Sequence, residues 1–323
     1  MFDPAASQFQ RYVDRASEGR TELWRLLVGW PAILILTLFT WILVFGFIYF
    51  VLSLLYPDDF SLAQPELSLN SKIQSPSGVA FQLIAVAIGL FWTWLVLKFL
   101  HRRRFSGLLG AGGRISWHNF HKGTVAALIA GLMGEVVNAL IDPSLHRAPI
   151  ALGEWLLWLA PLLLLLFCQI AAEEVLFRGY VLQSLAVRFP SPVMWAVLPS
   201  TIFVLIHWDS RMTGALTALH LGSIAVFAFS AVLLVRLTGD LGAPMGLHFG
   251  TNIGAILLVS HMPELGGAAL MQGRLLQSSD WTSIAMVGVT LNTGISAGLA
   301  LALLVLSRSP LQIIRAPGGG AAR

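Results

Sequence analysis

Charge and thiols are what this sequence has least of. Asp, Glu, Lys and Arg make up 11% of its 323 residues, against roughly 25% in an ordinary soluble domain, and so sparse a supply excludes a surface made mainly for water. The one cysteine, Cys168, excludes an intrachain disulfide framework and a cysteine-based zinc site. It lies inside an apolar run and reads as a small packing residue, since a reactive thiol needs an electropositive, partly exposed setting. No internal repeat, long linker or low-complexity tract stands out. Three local signatures of membrane-embedded hydrolases are also missing: an HExxH zinc pair, a GxSG serine and a GxGD aspartate, Gly239 and Asp240 being preceded by Leu237 and Thr238.

What is there instead is apolar. Hydrophobic residues are 56% of the chain and gather in roughly eight windows of a length that spans a bilayer. The windows run near Trp24–Tyr56, Val79–Lys98, Gly123–Ile141, Trp155–Glu174, Val193–Trp208, Ala215–Leu237, Pro244–Val259 and Ser283–Leu306. This predicts an all-α, polytopic membrane protein. No small-residue cleavage site follows the first window, so the first span stays as an anchor. A net charge of +4 is dispersed among loops and is no nucleic-acid surface; the lipid bilayer is the partner. Arg11, Arg15, Arg20 and Arg25 precede the first window; Arg102, Arg103, Arg104, Arg114 and Lys122 separate the second and third; Arg308, Arg315 and Arg323 follow the last. The alternate loops hold Lys72, Arg147, Arg211 and Arg274 singly, so the positive-inside rule predicts both termini in the cytoplasm.

The predicted organisation is a cytoplasmic segment over 1–23, one transmembrane domain over 24–307 with its chemistry at about 150–260, and a cytoplasmic, disordered tail over 308–323 ending in APGGGAAR. The polar loop Pro57–Gly78 is the longest external excursion and carries nothing catalytic. Compact loops without extra domains suggest a multi-pass protein of the bacterial inner membrane.

Ionisable side chains inside a bilayer are costly, and each is a functional hypothesis. Here they are Glu135, Glu173, Glu174, Arg178, His207, His220 and His248. On a helix Glu174 and Arg178 stand four apart in the order that favours an ion pair, which leaves Glu173, about 100° round, for other work. Phe203 and His207 share a face, as do His248 and Asn252. Glu135 and His220 are taken as packing residues. Gly246, Gly250 and Gly254 form a small-residue row that allows close helix approach and would bring the seventh window toward the fourth. A carboxylate, imidazoles and an amide suit hydrolysis of an amide bond: a base takes a proton from water and donors stabilise the oxyanion.

At these positions the chain resembles the CAAX-processing and bacteriocin-protection (Abi) family of intramembrane proteases, which includes the type II CAAX prenyl endopeptidases. The family's EExxxR, FxxxH and HxxxN motifs occur in order at Glu173 to Arg178, Phe203 to His207 and His248 to Asn252. The resemblance covers about residues 150 to 260. It implies Glu173 as the base that activates water, His207 as its assistant, His248 and Asn252 as ligands of the water or the oxyanion, and Glu174 and Arg178 as residues that shape the site. The substrate would be a peptide or membrane protein. No cofactor is required on the favoured glutamate mechanism; zinc, if bound, would take Glu173, His207 and His248. The rivals are a non-catalytic scaffold or bacteriocin-immunity factor and a proton-coupled transporter. The cavity is expected to open toward the cytoplasm, although on these windows His207 falls at the opposite end from Glu173 and His248 unless Pro161 or Pro199 breaks a span.

Overall fold

The computed structural model describes residues 4–57, 74–278 and 281–313. Lys72, Arg315, Arg323, the APGGGAAR tail and most of the Pro57–Gly78 loop lie outside the described residues. Among these, six helices are long and apolar enough to cross a membrane by length and composition. In chain order the helices are α1 (Pro4–Asp14), α2 (Leu23–Leu55), α3 (Pro76–His101), α4 (Trp117–Ile141), α5 (Leu152–Ala186), α6 (Val193–Leu205), α7 (Gly214–Thr238), α8 (Gly242–Asn252) and α9 (Ser283–Val305). The fold is all-α, as the apolar windows predict. Two of the eight windows differ in length from a full span: α6 is short, and α8 reaches Leu258 only through a widened turn over Ile253–Leu258.

The ends of these helices follow from local chemistry. Ser75, Ser116 and Thr282 accept from the backbone N–H groups of Gly78, Asn119 and Ala285 and so cap α3, α4 and α9. Gly239, at φ +67°, takes the left-handed conformation that ends α7 and turns the chain into α8. The fourth window was expected to stop at Glu174, where charge appears. Instead the helix widens over Val175–Val181 and runs on to Ala186, because its charges are paired inside the bundle. That extension removes the mismatch in depth. At ~1.5 Å per residue, Glu173 and His207 each lie about 20 Å from the Arg-rich ends of α5 and α6.

One end of the bundle is fastened by the predicted cytoplasmic segments. The Tyr12 hydroxyl donates to the Leu108 and Arg178 carbonyls at 2.9 and 3.0 Å, Arg20 N–H to the His101 carbonyl at 2.7 Å, and Lys122 to the Gln312 carbonyl at 2.6 Å. Gly110 and Asp240 form a backbone bridge there. At the opposite end a small sheet, in the order β1 (His146–Arg147), β3 (Met271–Gln272), β2 (Val259–Ser260), sits beside Trp155, whose Nε1 donates to the Leu257 and Ala268 carbonyls. Successive windows therefore run in alternate directions, with both described ends of the chain on the Arg-rich side. The most hydrophobic window, on α2, is only 6% buried, and Leu27, Ile35, Leu38 and Phe47 on it stay exposed; this is an outer surface suited to hydrocarbon.

Candidate active site

The glycine row acts on a different neighbour from the one expected. A Cβ at Gly246 would collide with the Phe120 carbonyl, and one at Gly250 with the Thr124 carbonyl, so the row seats α8 against α4; Gly254 faces open space. His248 is thereby turned to the other side of α8, toward α5. There its Nδ1 lies 2.9 Å from Glu174 Oε1 and its Nε2 3.8 Å from Glu173 Oε2.

Glu174 is fully buried and has two partners: His248 and Arg178, whose Nη1 donates at 3.1 Å. The guanidinium also lies 4.3 Å from the centre of the Phe203 ring, within cation–π range, while Phe227 packs edge-on to His248 at 4.8 Å. Phe203 of the second motif is thus a wall of the charge network as well as a neighbour of His207. The expected Glu174–Arg178 pair is present; the imidazole that joins it was not foreseen.

Glu173 is held differently. Its Oε1 accepts from Gln169 Nε2 at 2.6 Å, and Gln169 Oε1 accepts from Asn252 Nδ2 at 3.2 Å. Gln169 thus bridges the carboxylate and the amide that the motifs single out, although it belongs to none of them. Its signal in the sequence is a polar residue one helical turn before Glu173 in an otherwise apolar run. Glu173 Oε2 is buried with no hydrogen-bond partner in the protein. A buried carboxylate oxygen left in that state is costly unless a water or a ligand meets it.

Glu173 also borders open space. A cavity of about 380 Å³ lies between α2, α3, α5 and the end of α6, with Thr37, Gly89, Glu173, Phe177 and His207 on its wall. His207 Nδ1–H donates to its own helix at the Phe203 carbonyl, 2.7 Å away; in the neutral ring Nε2 then carries the lone pair. No hydrogen bond joins His207 to either carboxylate. At the Arg-rich end, where an opening was expected, Phe177, Arg178, Tyr180 and Val181 are buried and packed. The exposed lining residues are Leu34, Leu38, Trp41, Val86 and Ile206, on the apolar flank.

The structure therefore gathers Glu173, Glu174, Arg178 and His248 in one network, joins Asn252 to it through Gln169, and sets His207 on the wall of the cavity beside Glu173. Among the described residues no three His, Cys, Asp or Glu side chains converge closely enough to hold a metal ion, so Glu173, His207 and His248 do not form a zinc site in this arrangement.

No solved structure matches the chain. It is 22% identical over 223 residues to the uncharacterized protein YyaK of Bacillus subtilis (strain 168), over 68% of this chain and 73% of that one. At family level the resemblance carried by the three motifs supports an intramembrane protease: residues 154–254, which contain every one of these site residues, match the family of type II CAAX prenyl endopeptidase Rce1-like proteins.

Proposed function

We propose that the chain is an intramembrane endopeptidase that hydrolyses a peptide bond at or near the membrane surface, with water activated by Glu173. The observation that carries this reading is the unpartnered Glu173 Oε2 beside a cavity that His207 also lines. Water bound in the cavity would be oriented by two acceptors, Glu173 Oε2 and His207 Nε2. Glu173 takes one proton as the oxygen attacks the scissile carbonyl, and that proton later leaves with the amine. Gln169 occupies the other carboxylate oxygen, so Glu173 cannot rotate away from the water.

The neighbouring acid has the opposite task. Glu174 is fixed between Arg178 and His248 and steadies the imidazole whose Nε2 faces Glu173. His248, when both ring nitrogens carry hydrogen, and the second amide hydrogen of Asn252 are the donors for the oxyanion. No step in this scheme uses a metal ion. The membrane is a bacterial inner membrane with both termini in the cytoplasm, and the substrate is a peptide or membrane protein that reaches the cavity along its apolar flank. Purified protein in lipid nanodiscs, given a panel of labelled membrane peptides, should cleave at least one of them. Glu173→Gln should lower that rate by about 10²–10⁴-fold with the melting temperature preserved, in line with the loss of a general base; full activity in the variant would remove the mechanism.

A further inference from the structure

The site above leaves a second intramembrane carboxylate unused. Glu135 lies on α4 and lines a separate cavity of about 100 Å³, on the far side of α8 from His248. His220, Thr251, His261, Asn292 and Ser296 share that lining. Glu135 Oε1 accepts from Asn292 Nδ2 at 2.6 Å, and the Ser296 hydroxyl donates to Asn292 Oδ1 at 2.9 Å, which fixes the orientation of the amide. Glu135 Oε2 lies 3.3 Å from His261 Nε2. Glu135 thus has polar partners on two other segments, where the sequence had suggested a packing residue.

The protonation of His261 follows from its two neighbours. Its Nδ1 lies 3.0 Å from the Arg274 carbonyl, an oxygen that can only accept, so Nδ1 carries a hydrogen. A neutral ring would then turn the Nε2 lone pair onto a carboxylate. Two acceptors cannot hold that contact unless a proton stands between them, as imidazolium with carboxylate or as imidazole with carboxylic acid.

We propose that Glu135 and His261 form a second site, independent of Glu173, whose ligand is one proton, and that this proton fastens the loop 259–278 to α4. The charged and titratable groups facing His261 are few: Glu135 and Asp142 from α4, Arg274 from its own loop, and His220 across the cavity on α7. Arg274 is itself tied to Asp142 at 2.7 Å, so its charge is offset. Burial pushes the His261 imidazole down, but Glu135, the Arg274 carbonyl and Asp142 together raise it above its ordinary value. A group raised in the folded state contributes stability that is complete at low pH and disappears as pH climbs through its folded pKa. The fastening is therefore complete below the ordinary histidine value and fades as pH rises through the raised one.

The full chain, labelled with ¹⁵N at the histidine rings and held in nanodiscs, tests this directly. At pH values where the other histidines have become neutral, one histidine, assigned by its loss in His261→Gln, should still show both ring nitrogens protonated. In Glu135→Gln the same ring should become the neutral Nδ1–H tautomer, because a glutamine N–H can donate to Nε2 and no extra proton is needed. Melting curves from acid to alkaline pH should show wild type losing several degrees that neither variant loses. A His261 ring that titrates at the ordinary value of about 6.5, unchanged in Glu135→Gln, would overturn the proposal. So would parallel melting profiles in all three proteins. If Glu135→Gln failed to fold, the wild-type titration and His261→Gln would still decide.

Discussion

Glu173 and Glu174 are adjacent in sequence and each keeps one buried oxygen without a hydrogen-bond partner, yet Glu174 is enclosed by charge while Glu173 borders a cavity. The difference comes from which helices they meet. Glu174 meets α8 and its own next turn, where His248 and Arg178 answer it. Arg178→Met should therefore leave a fully buried carboxylate short of a partner and lower stability by about 3–5 kcal/mol, read from thermal or denaturant unfolding in detergent. A loss under about 1 kcal/mol would mean that His248 alone satisfies Glu174. Gln169→Leu should act on rate instead. It removes the brace between Glu173 and Asn252, and a displacement of this kind costs about 10²-fold in kcat, with KM little changed.

At the scale of the helix, the close seat of α8 on α4 is what aims His248 at the carboxylates. Gly246→Val would push a side chain into the Phe120 carbonyl and should destabilise the protein by at least about 1–3 kcal/mol. Gly254→Ala, facing open space, should be nearly neutral in the same melting assay. Hydropathy made the helices and their alternation legible, since apolar length is what a bilayer demands. It misjudged the end of α5, because hydropathy counts Glu173, Glu174 and Arg178 as a boundary while their mutual pairing lets the helix continue. It also missed the target of the glycine row, since small residues permit contact without naming the partner. Of the site, the seven motif residues were legible through their spacing. Gln169, Phe227 and the Glu135–His261 pair were not, for their roles depend on contacts between helices far apart in the chain.

Taken whole, the molecule has an Arg-rich end that binds its own N-terminal helix and an opposite end built from the loop 259–278. The latter is tied to the α6–α7 turn by Arg211, which pairs with both Asp209 and Glu264. That the Arg-rich end faces the cytoplasm is testable with single cysteines in a Cys168→Ser background. A cysteine in place of the open-facing Gly112 should react with an impermeant thiol reagent only after the cells are permeabilised, and one at Arg147 should react in intact spheroplasts. The reverse pattern would invert the topology.

The central claim is that Glu173 cuts peptides within this membrane. Its most direct measurement is a mass-spectrometric comparison of membrane peptides in host cells carrying the wild-type chain or Glu173→Gln at equal abundance. The account predicts a small set of cleavage products present with wild type and absent with the variant, and their uncut precursors enriched in the variant. Identical peptide profiles, with Glu173→Gln complementing a deletion in full, would contradict it and leave a non-catalytic membrane protein.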